Sequence, residues 1–347
     1  MPQPLVHVIV LNWNNHEETA RCVDSVLRQT YPNSRILVVD NGSTKGGGCV
    51  ALLENAPNIE IITLDLNTGY TGGNNIGMAR AFAAGADYVW LLNSDAVAAP
   101  DTLAKLVEAA ETAPDIGLVS PLLRERIEDP TLGMICGHFD MAAPSTEQTD
   151  AVAQARVWLA ERPQRVLLYG AALLVRRALW EKIGGLDQRF FAYWEDVDYS
   201  VRSILSGFRN EISFDSYVIH TSKPTKNAPK TIKPHVYYYT TRNEILLWMK
   251  YIKGIGLLKI IWWQIRRQRQ QINRMRDYRD GMEAILTGLW DGCRGVRGER
   301  PSERRSWMLR AAVQIALAGL NRRGAVGVPH QEIQRPARPV VVNRSRS

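Results

Sequence analysis

What the chain lacks narrows its function first. A G-x-G-x-x-G turn, whose glycines let backbone amides approach a dinucleotide pyrophosphate, would directly follow the first strand-like run. Here that turn reads Asn12-Trp13-Asn14-Asn15. The chain also has no G-x-x-x-x-G-K-S/T cradle for a nucleoside triphosphate. Nicotinamide, flavin and triphosphate-hydrolysis chemistries therefore drop away. Its four cysteines, Cys22, Cys49, Cys136 and Cys293, stand far apart without paired spacing, so neither a disulfide framework nor a zinc site is signalled. A reducing compartment fits. Met1-Pro2-Gln3-Pro4 leads into a strand without a basic region and long apolar core, giving the expectation of no secretory signal and a cytoplasmic enzyme. Long uncharged apolar runs are missing as well. Ile245 to Ile265 is broken by Lys250, Lys253, Gly254, Gly256 and Lys259, where a membrane span needs about 20 predominantly apolar residues.

The 347 residues, 45% of them hydrophobic, suffice for one large core or two domains. The net charge of +8 is uneven: residues 251–347 hold 20 Lys and Arg against 7 Asp and Glu, a balance of +13, which leaves −5 for residues 1–250. The basic end calls for an anionic partner, either nucleic acid or a membrane surface.

Along the chain, apolar strand-like runs alternate with helical patterns. Val6 to Leu11, Ile36 to Val39, Ile59 to Ile62 and Tyr88 to Leu92 read as strands, with a helix through Cys22, Val23, Val26 and Leu27 after the first. That alternation predicts an α/β fold with a largely parallel sheet whose ligands bind beyond the carboxyl ends of the strands. Polar residues gather at those ends: Asn12, Trp13 and Asn14; Asp40, Asn41 and Ser43; Asn67, Gly69, Gly72, Gly73, Asn74 and Asn75; then Asn93, Ser94 and Asp95. Each turn alone is ordinary turn chemistry. Four on one rim point to a ligand. Gly46 to Gly48 read as a flexible loop, and the polar stretch Ser145 to Asp150 as a mobile one. The run Val166 to Val175 holds small residues, Gly170, Ala171 and Ala172, which admit a close backbone or ligand. A final strand, Glu211 to Ile219, ends in His220.

Between these lies Phe190-Phe191-Ala192-Tyr193-Trp194-Glu195-Asp196-Val197-Asp198, three carboxylates behind aromatic residues. Two readings compete. Acids at a helix start complement its dipole and cap free amides, whereas acids crowded out of water have raised pKa values suited to proton transfer.

Taken in order, these pieces resemble glycosyltransferase family 2, the inverting group with the GT-A fold, over residues 5 to 245. The matching segments are Asn12-Trp13-Asn14, Val38-Val39-Asp40-Asn41-Gly42-Ser43, Asn67-Thr68-Gly69 with Gly72-Gly73-Asn74, Leu92-Asn93-Ser94-Asp95, Gly170-Ala171-Ala172, Trp194-Glu195-Asp196-Val197-Asp198 and His220. The resemblance implies a Rossmann-like, mostly parallel sheet flanked by helices. It also implies a nucleotide-sugar donor held by Asn12, Trp13, Asn14, Asp40, Asn67, Gly72, Asn74, Asn93, Ser94 and Asp95, with Asp40 on the nucleobase. Trp13 either stacks on the base or fills the sheet edge. Asp95 matches the last acid of the family's D-x-D metal motif, and Asn93 replaces the first. With His220, Asp95 would hold a divalent cation, Mg2+ or Mn2+, that stabilises the leaving diphosphate. Asp196 carries over as the general base that takes the acceptor hydroxyl's proton, with Glu195 positioning acceptor or base. Asp198 and Arg202, one turn apart, read as a pair.

Tyr237-Tyr238-Tyr239-Thr240-Thr241-Arg242-Asn243 resembles the family's bacterial rhamnosyltransferase-like members. The expected function is therefore transfer of a sugar, such as rhamnose from its dTDP donor, to a lipid-linked or polysaccharide acceptor in cell-surface glycan synthesis. Donors such as UDP-galactofuranose or UDP-glucose are the alternatives within that chemistry. An inactive membrane- or nucleic-acid-binding protein is the alternative outside it.

The expected domains are a GT-A domain over 1–243, a basic, Trp-rich helical region over 244–323 and a disordered end over 324–347. Trp248, Trp262 and Trp263, with Arg266, Arg267 and Arg269, suit an in-plane helix on an anionic bilayer. An ordinary helical bundle with a solvated basic face, completed by Trp307 to Leu320, is the competing reading. On the first reading the protein sits peripherally on the cytoplasmic face of the inner membrane, with no nucleic acid as partner.

Overall fold

The apolar runs form the inner strands of a covered sheet. A computed structural model of the chain describes residues 3–44, 59–125, 132–140, 145–220, 232–274 and 278–300. The glycines at 46–48, Cys49, the segment 307–320 and the end 324–347 lie outside the described residues.

Strands β1 (Val6–Asn12), β2 (Ser34–Asn41), β3 (Ile59–Leu64) and β4 (Tyr88–Asn93) pair in parallel, in the order β3-β2-β1-β4. Helix α1 (His16–Leu27) follows β1, and α2 (Gly69–Ala83) joins β3 to β4. Successive side chains on a strand point to opposite faces. Val8, Val10, Val38 and Trp90 accordingly pack with Cys22, Val23 and Val26 of α1 and with Leu103 and Leu106 of α3 (Thr102–Glu111). Ile9, Leu37, Val39 and Leu91 pack on the other face with Met78 and Phe82 of α2. Burying each such side chain is worth roughly 1.5–3 kcal/mol, and a one-residue slip would exchange the two faces. Register is therefore firmly set.

The sheet continues with β10 (Ala172–Arg176), β6 (Ile116–Arg124), β11 (Arg209–His220) and β5 (Ala96–Ala98), in that order. Strand β7 (Cys136–Asp140) pairs antiparallel with β8 (Ser145–Thr149) and with β9 (Val166–Leu167) in a small second sheet. Thus the polar stretch expected to be mobile is a strand, because β7 supplies its hydrogen-bond partners. The helix α4 (Val152–Glu161) follows.

The run Val166 to Val175 contributes to two strands. It breaks at Gly170, and β10 (Ala172–Arg176) enters the large sheet antiparallel to both β4 and β6. At the break the backbone approaches the acid cluster closely: a Cβ on Gly170 would lie 3.0 Å from Cβ of Asp196. After α5 (Arg177–Ile183) and α6 (Glu195–Leu205), β11 (Arg209–His220) runs parallel to β6 and antiparallel to β5. Four of the seven neighbouring pairs in the large sheet are parallel.

Three helices close the described chain: α7 (Pro234–Tyr251), α8 (Ile255–Arg274) and α9 (Arg279–Cys293). The boundary expected at residue 243 falls inside α7. Helix α9 lies close against α7, where a Cβ on Gly288 would stand 2.7 Å from the Tyr238 carbonyl oxygen. Tyr238 also donates a buried hydrogen bond to Asp291 at 2.8 Å. Trp248, expected at a bilayer surface, is only 4% exposed; α7 uses it as core.

The expected Asp198–Arg202 pair forms, with Arg202 Nε donating to Asp198 at 2.8 Å. It does not stand alone. Asp198, fully buried, also accepts from Lys250 Nζ at 2.7 Å and Tyr251 Oη at 2.8 Å, so the end of α7 is tied to α6.

Candidate active site

The carboxyl ends of β1, β2 and β4, the start of α2, the loop before α6 and the end of β11 enclose a cleft of about 790 Å³. That is within the usual range for a small-molecule site, roughly 300–1,000 Å³. Trp13, Asn67, Asn93, Ser94, Asp95, Glu195, Asp196 and His220 all line it. Residues from all four turns, from the acid cluster and from the last strand thus share one space.

Trp13 is 52% exposed at the cleft and does not fill the sheet edge. Asn12 and Asp40 are buried and hold the turns. Asn12 Nδ2 donates to Asp40 Oδ1 at 3.2 Å and to Ser43 Oγ at 3.1 Å, while Asn12 Oδ1 accepts from Thr19 Oγ1 at 2.9 Å. Asn14, in the left-handed region with φ 54°, accepts from Thr44 N at 2.9 Å. Gly72 and Asn74 shape the first turns of α2 and do not line the cleft: Asn74 is buried and donates to the Tyr70 carbonyl at 2.9 Å.

Sequence reasoning passed over Asn41 as a site residue, yet it both lines the cleft and fixes a neighbouring turn. Its Nδ2 donates to Asn67 Oδ1 and to the Gly69 carbonyl, each at 3.0 Å, and its Oδ1 accepts from Thr68 N at 2.9 Å. Gly69 has φ +78°, and a Cβ there would meet the Phe191 carbonyl oxygen at 2.6 Å. Only glycine lets α2 abut the acid loop so closely.

Asp95 Oδ1 lies 3.1 Å from His220 Nε2. Burial alone would raise this carboxyl, but the hydrogen bond and charge of His220 outweigh it and hold Asp95 below the usual range. Asn93 Nδ2 is 3.3 Å from the same His220 nitrogen, and Asn93 Oδ1 is buried without a partner. A carboxylate, an imidazole nitrogen and an unengaged amide oxygen form a donor set that fits a divalent cation. Among the described residues no group of three His, Cys, Asp or Glu forms a protein-only metal site. A cation here would take its remaining ligands from water or a bound substrate.

On the same cleft, Asp196 Oδ2 accepts from Gly170 N at 2.8 Å and Oδ1 from Val197 N at 2.7 Å. Burial raises its pKa despite these bonds. Glu195 is 6% exposed, its Oε2 has no partner, and burial followed by the Asp196 charge pushes its carboxyl well above the usual range. Capping does not account for such a pair, since an exposed cap would stay ionised. The loop leading into α6 is strained: Phe191, Tyr193 and Trp194 have φ of 64°, 69° and 73°, where bulky residues are outliers.

Five further lining residues have no counterpart among the expected site residues. Tyr70, Tyr169, His235, Tyr239 and Glu299 line the cleft, the last three from α7 onward. The motif Tyr237 to Asn243 carried the available signal, although its contacts are non-local.

The Glu195 shift has a stability consequence. Unfolded, this carboxyl titrates near about 4.3; folded, its pKa is raised, so the native state binds the extra proton between the two values. Wild-type stability should fall as pH rises through that window. Denaturant unfolding at pH 4, 6 and 8 should show Glu195→Gln gaining on wild type as pH rises. A gap independent of pH would contradict the buried neutral acid.

The family assignment follows from this geometry and from sequence comparison. The sequence model for glycosyl transferase family 2 matches residues 7–152. An N-acetylglucosaminyl-diphospho-decaprenol L-rhamnosyltransferase of Mycobacterium tuberculosis is 30% identical over 234 residues, 61% of this chain and 75% of that protein. Galactofuranosyltransferase GlfT1 of the same species is 30% identical over 225 residues, covering 62% and 69%. Among solved structures, the mannosyltransferase PcManGT from Pyrobaculum calidifontis in complex with GDP-Man and Mn2+ has a TM-score of 0.52 at 17% identity, covering 91% of this chain and 80% of its own. S. aureus TarS 1–349 in complex with UDP-GlcNAc has a TM-score of 0.54 at 15% identity, covering 84% and 81%. These two establish the GT-A fold. With its buried acid pair facing the strand-end rim, the chain belongs to glycosyltransferase family 2 and is a nucleotide-sugar-dependent glycosyltransferase.

Proposed function

We propose that the enzyme moves rhamnose from dTDP-rhamnose to a hydroxyl of a lipid-linked glycan acceptor, by single displacement with inversion. The observation that carries this reading is the meeting of Asp196 with Asp95 and His220 on one cleft. Asp196, held by Gly170 N and Val197 N, takes the acceptor proton as the hydroxyl attacks the anomeric carbon. Burial raises its pKa, which strengthens it as a base. Glu195 beside it positions the acceptor. Trp13 offers an open ring face to the nucleobase, and Asn41 keeps the Asn67 turn in place. Asp95 and His220, with Asn93 Oδ1 beside them, would hold Mg2+ or Mn2+, which offsets the charge left on the departing diphosphate.

The rhamnosyltransferase relative supports the donor and the lipid-diphosphate acceptor. A UDP-galactofuranose donor is the second reading, because GlfT1 is equally identical.

A location on the cytoplasmic face of the inner membrane belongs to the same proposal. No described helix is long and apolar enough to cross a membrane. Helix α8 instead exposes Ile255, Leu258, Trp262, Trp263 and Ile265 beside Lys259, Arg266 and Arg269. Such a face suits insertion among anionic headgroups.

Two measurements test these readings. With dTDP-rhamnose, an N-acetylglucosaminyl-diphospho-prenol and Mn2+, Asp196→Asn should lower kcat by roughly 10²–10⁴-fold while donor-dependent thermal stabilisation persists; Asp95→Asn or EDTA should weaken that stabilisation. Unchanged transfer by Asp196→Asn would remove it as the base. In flotation, the protein should rise with anionic vesicles and be released by salt as the screening length falls from about 10 Å at 0.1 M to about 3 Å at 1 M. Equal recovery with neutral vesicles would contradict the electrostatic part.

A further inference from the structure

The motif Tyr237 to Asn243 supplies no group to the proposed chemistry, yet it hydrogen-bonds repeatedly to the acid loop. Asn243 Nδ2 is shared among three carbonyl oxygens of that loop, those of Phe190 at 2.9 Å, Ala192 at 2.7 Å and Tyr193 at 2.8 Å. Its Oδ1 accepts from Arg242 Nε at 2.8 Å. Arg242 is fully buried and sends NH2 to the Phe190 carbonyl at 2.9 Å and NH1 to the Gly298 carbonyl at 2.7 Å. The rings of Tyr238 and Tyr239 flank its guanidinium at 5.3 and 5.0 Å. No carboxylate pairs with it among the described residues.

These contacts fall on the segment whose backbone is least favourable by itself. Phe191, Tyr193 and Trp194 all adopt left-handed φ, and such conformations persist only where the surroundings over-determine them. Three inward-turned carbonyls need donors, and Asn243 and Arg242 provide them. A buried cation is equally demanding of partners, so loop and helix each satisfy the other. The loop ends directly at Glu195 and Asp196.

We infer that Asn243 and Arg242 are positioning residues for the transferase reaction: from α7 they hold the strained 190–194 backbone so that Asp196 faces the acceptor hydroxyl. This rests on the proposed role of Asp196 as base. Neither residue touches substrate, and a donor-end defect is not expected.

The test compares Asn243→Ala, Arg242→Lys and, as a control, Tyr238→Phe, which removes the Tyr238–Asp291 hydrogen bond from the same helix pair but keeps the ring. Hydrogen exchange of the amides of residues 190–196 should quicken roughly tenfold or more in Asn243→Ala, the mark of local opening, and stay at the wild-type rate in Tyr238→Phe. With dTDP-rhamnose and the prenyl-linked acceptor, kcat of Asn243→Ala should fall on the order of 10²-fold, the scale of a misplaced catalytic group, with donor KM unchanged. Arg242→Lys, keeping charge but losing the fork, should fall in between. If Asn243→Ala does not fold, Asn243→Gln, with the amide one methylene further out, takes its place with the same expectations. Unchanged exchange, or a kcat loss in Tyr238→Phe equal to that in Asn243→Ala, would overturn the inference. Full activity of Asp196→Asn would instead overturn the base and leave the exchange result standing, so the two failures are distinguishable.

Discussion

Keeping two adjacent carboxyl groups out of water is the constraint on which the site depends. An unpaired buried carboxylate costs several kcal/mol even after relaxation. The molecule meets this in three ways. Glu195 and Asp196 open a helix, whose free amides and dipole favour negative charge. Asp196 takes amide hydrogens from Gly170 and Val197. Glu195 is left with an unengaged oxygen, and burial followed by the Asp196 charge raises its pKa. One acid is thus equipped to carry charge and its neighbour is not, a separation that assigns different roles to like residues.

The remainder of the fold serves this pair. The parallel half of the sheet delivers the turns of Asn12 to Asn14, Asn41 and Asn67, each locked by side-chain amides. Inserting β10 antiparallel places Gly170 where its amide reaches Asp196 and where a side chain would crowd it. The long strand β11 ends at His220, opposite Asp95. The C-terminal helices then brace the acid loop through Arg242, Asn243 and the Asp198 network with Lys250 and Tyr251.

Much of this was legible in the sequence because it is local. The alternating strands, the polar rim, the acid cluster and the Asp95 and His220 ends all announce themselves within short windows. Trp248, a tryptophan among lysines, looks interfacial, whereas the fold buries it. The small residues Gly170 to Ala172 read as admitting a close neighbour, but the group that approaches, Asp196, sits 26 residues on. The roles of Asn41 and Asn243 stayed hidden for the same cause: Asn243 meets the Phe190 carbonyl 53 residues away, and asparagine carries no periodicity that would reveal such a reach.

On the proposed reading Asp196 acts as the base beside Glu195, and the sugar is transferred by one displacement at the anomeric carbon. The anomeric configuration of the transferred sugar, read from the one-bond carbon–hydrogen coupling in the product's NMR spectrum, tests that most directly. Inversion relative to the nucleotide donor is the predicted result; retention would contradict the account, since it would require two displacements or a front-face route for which this pair of acids is not arranged.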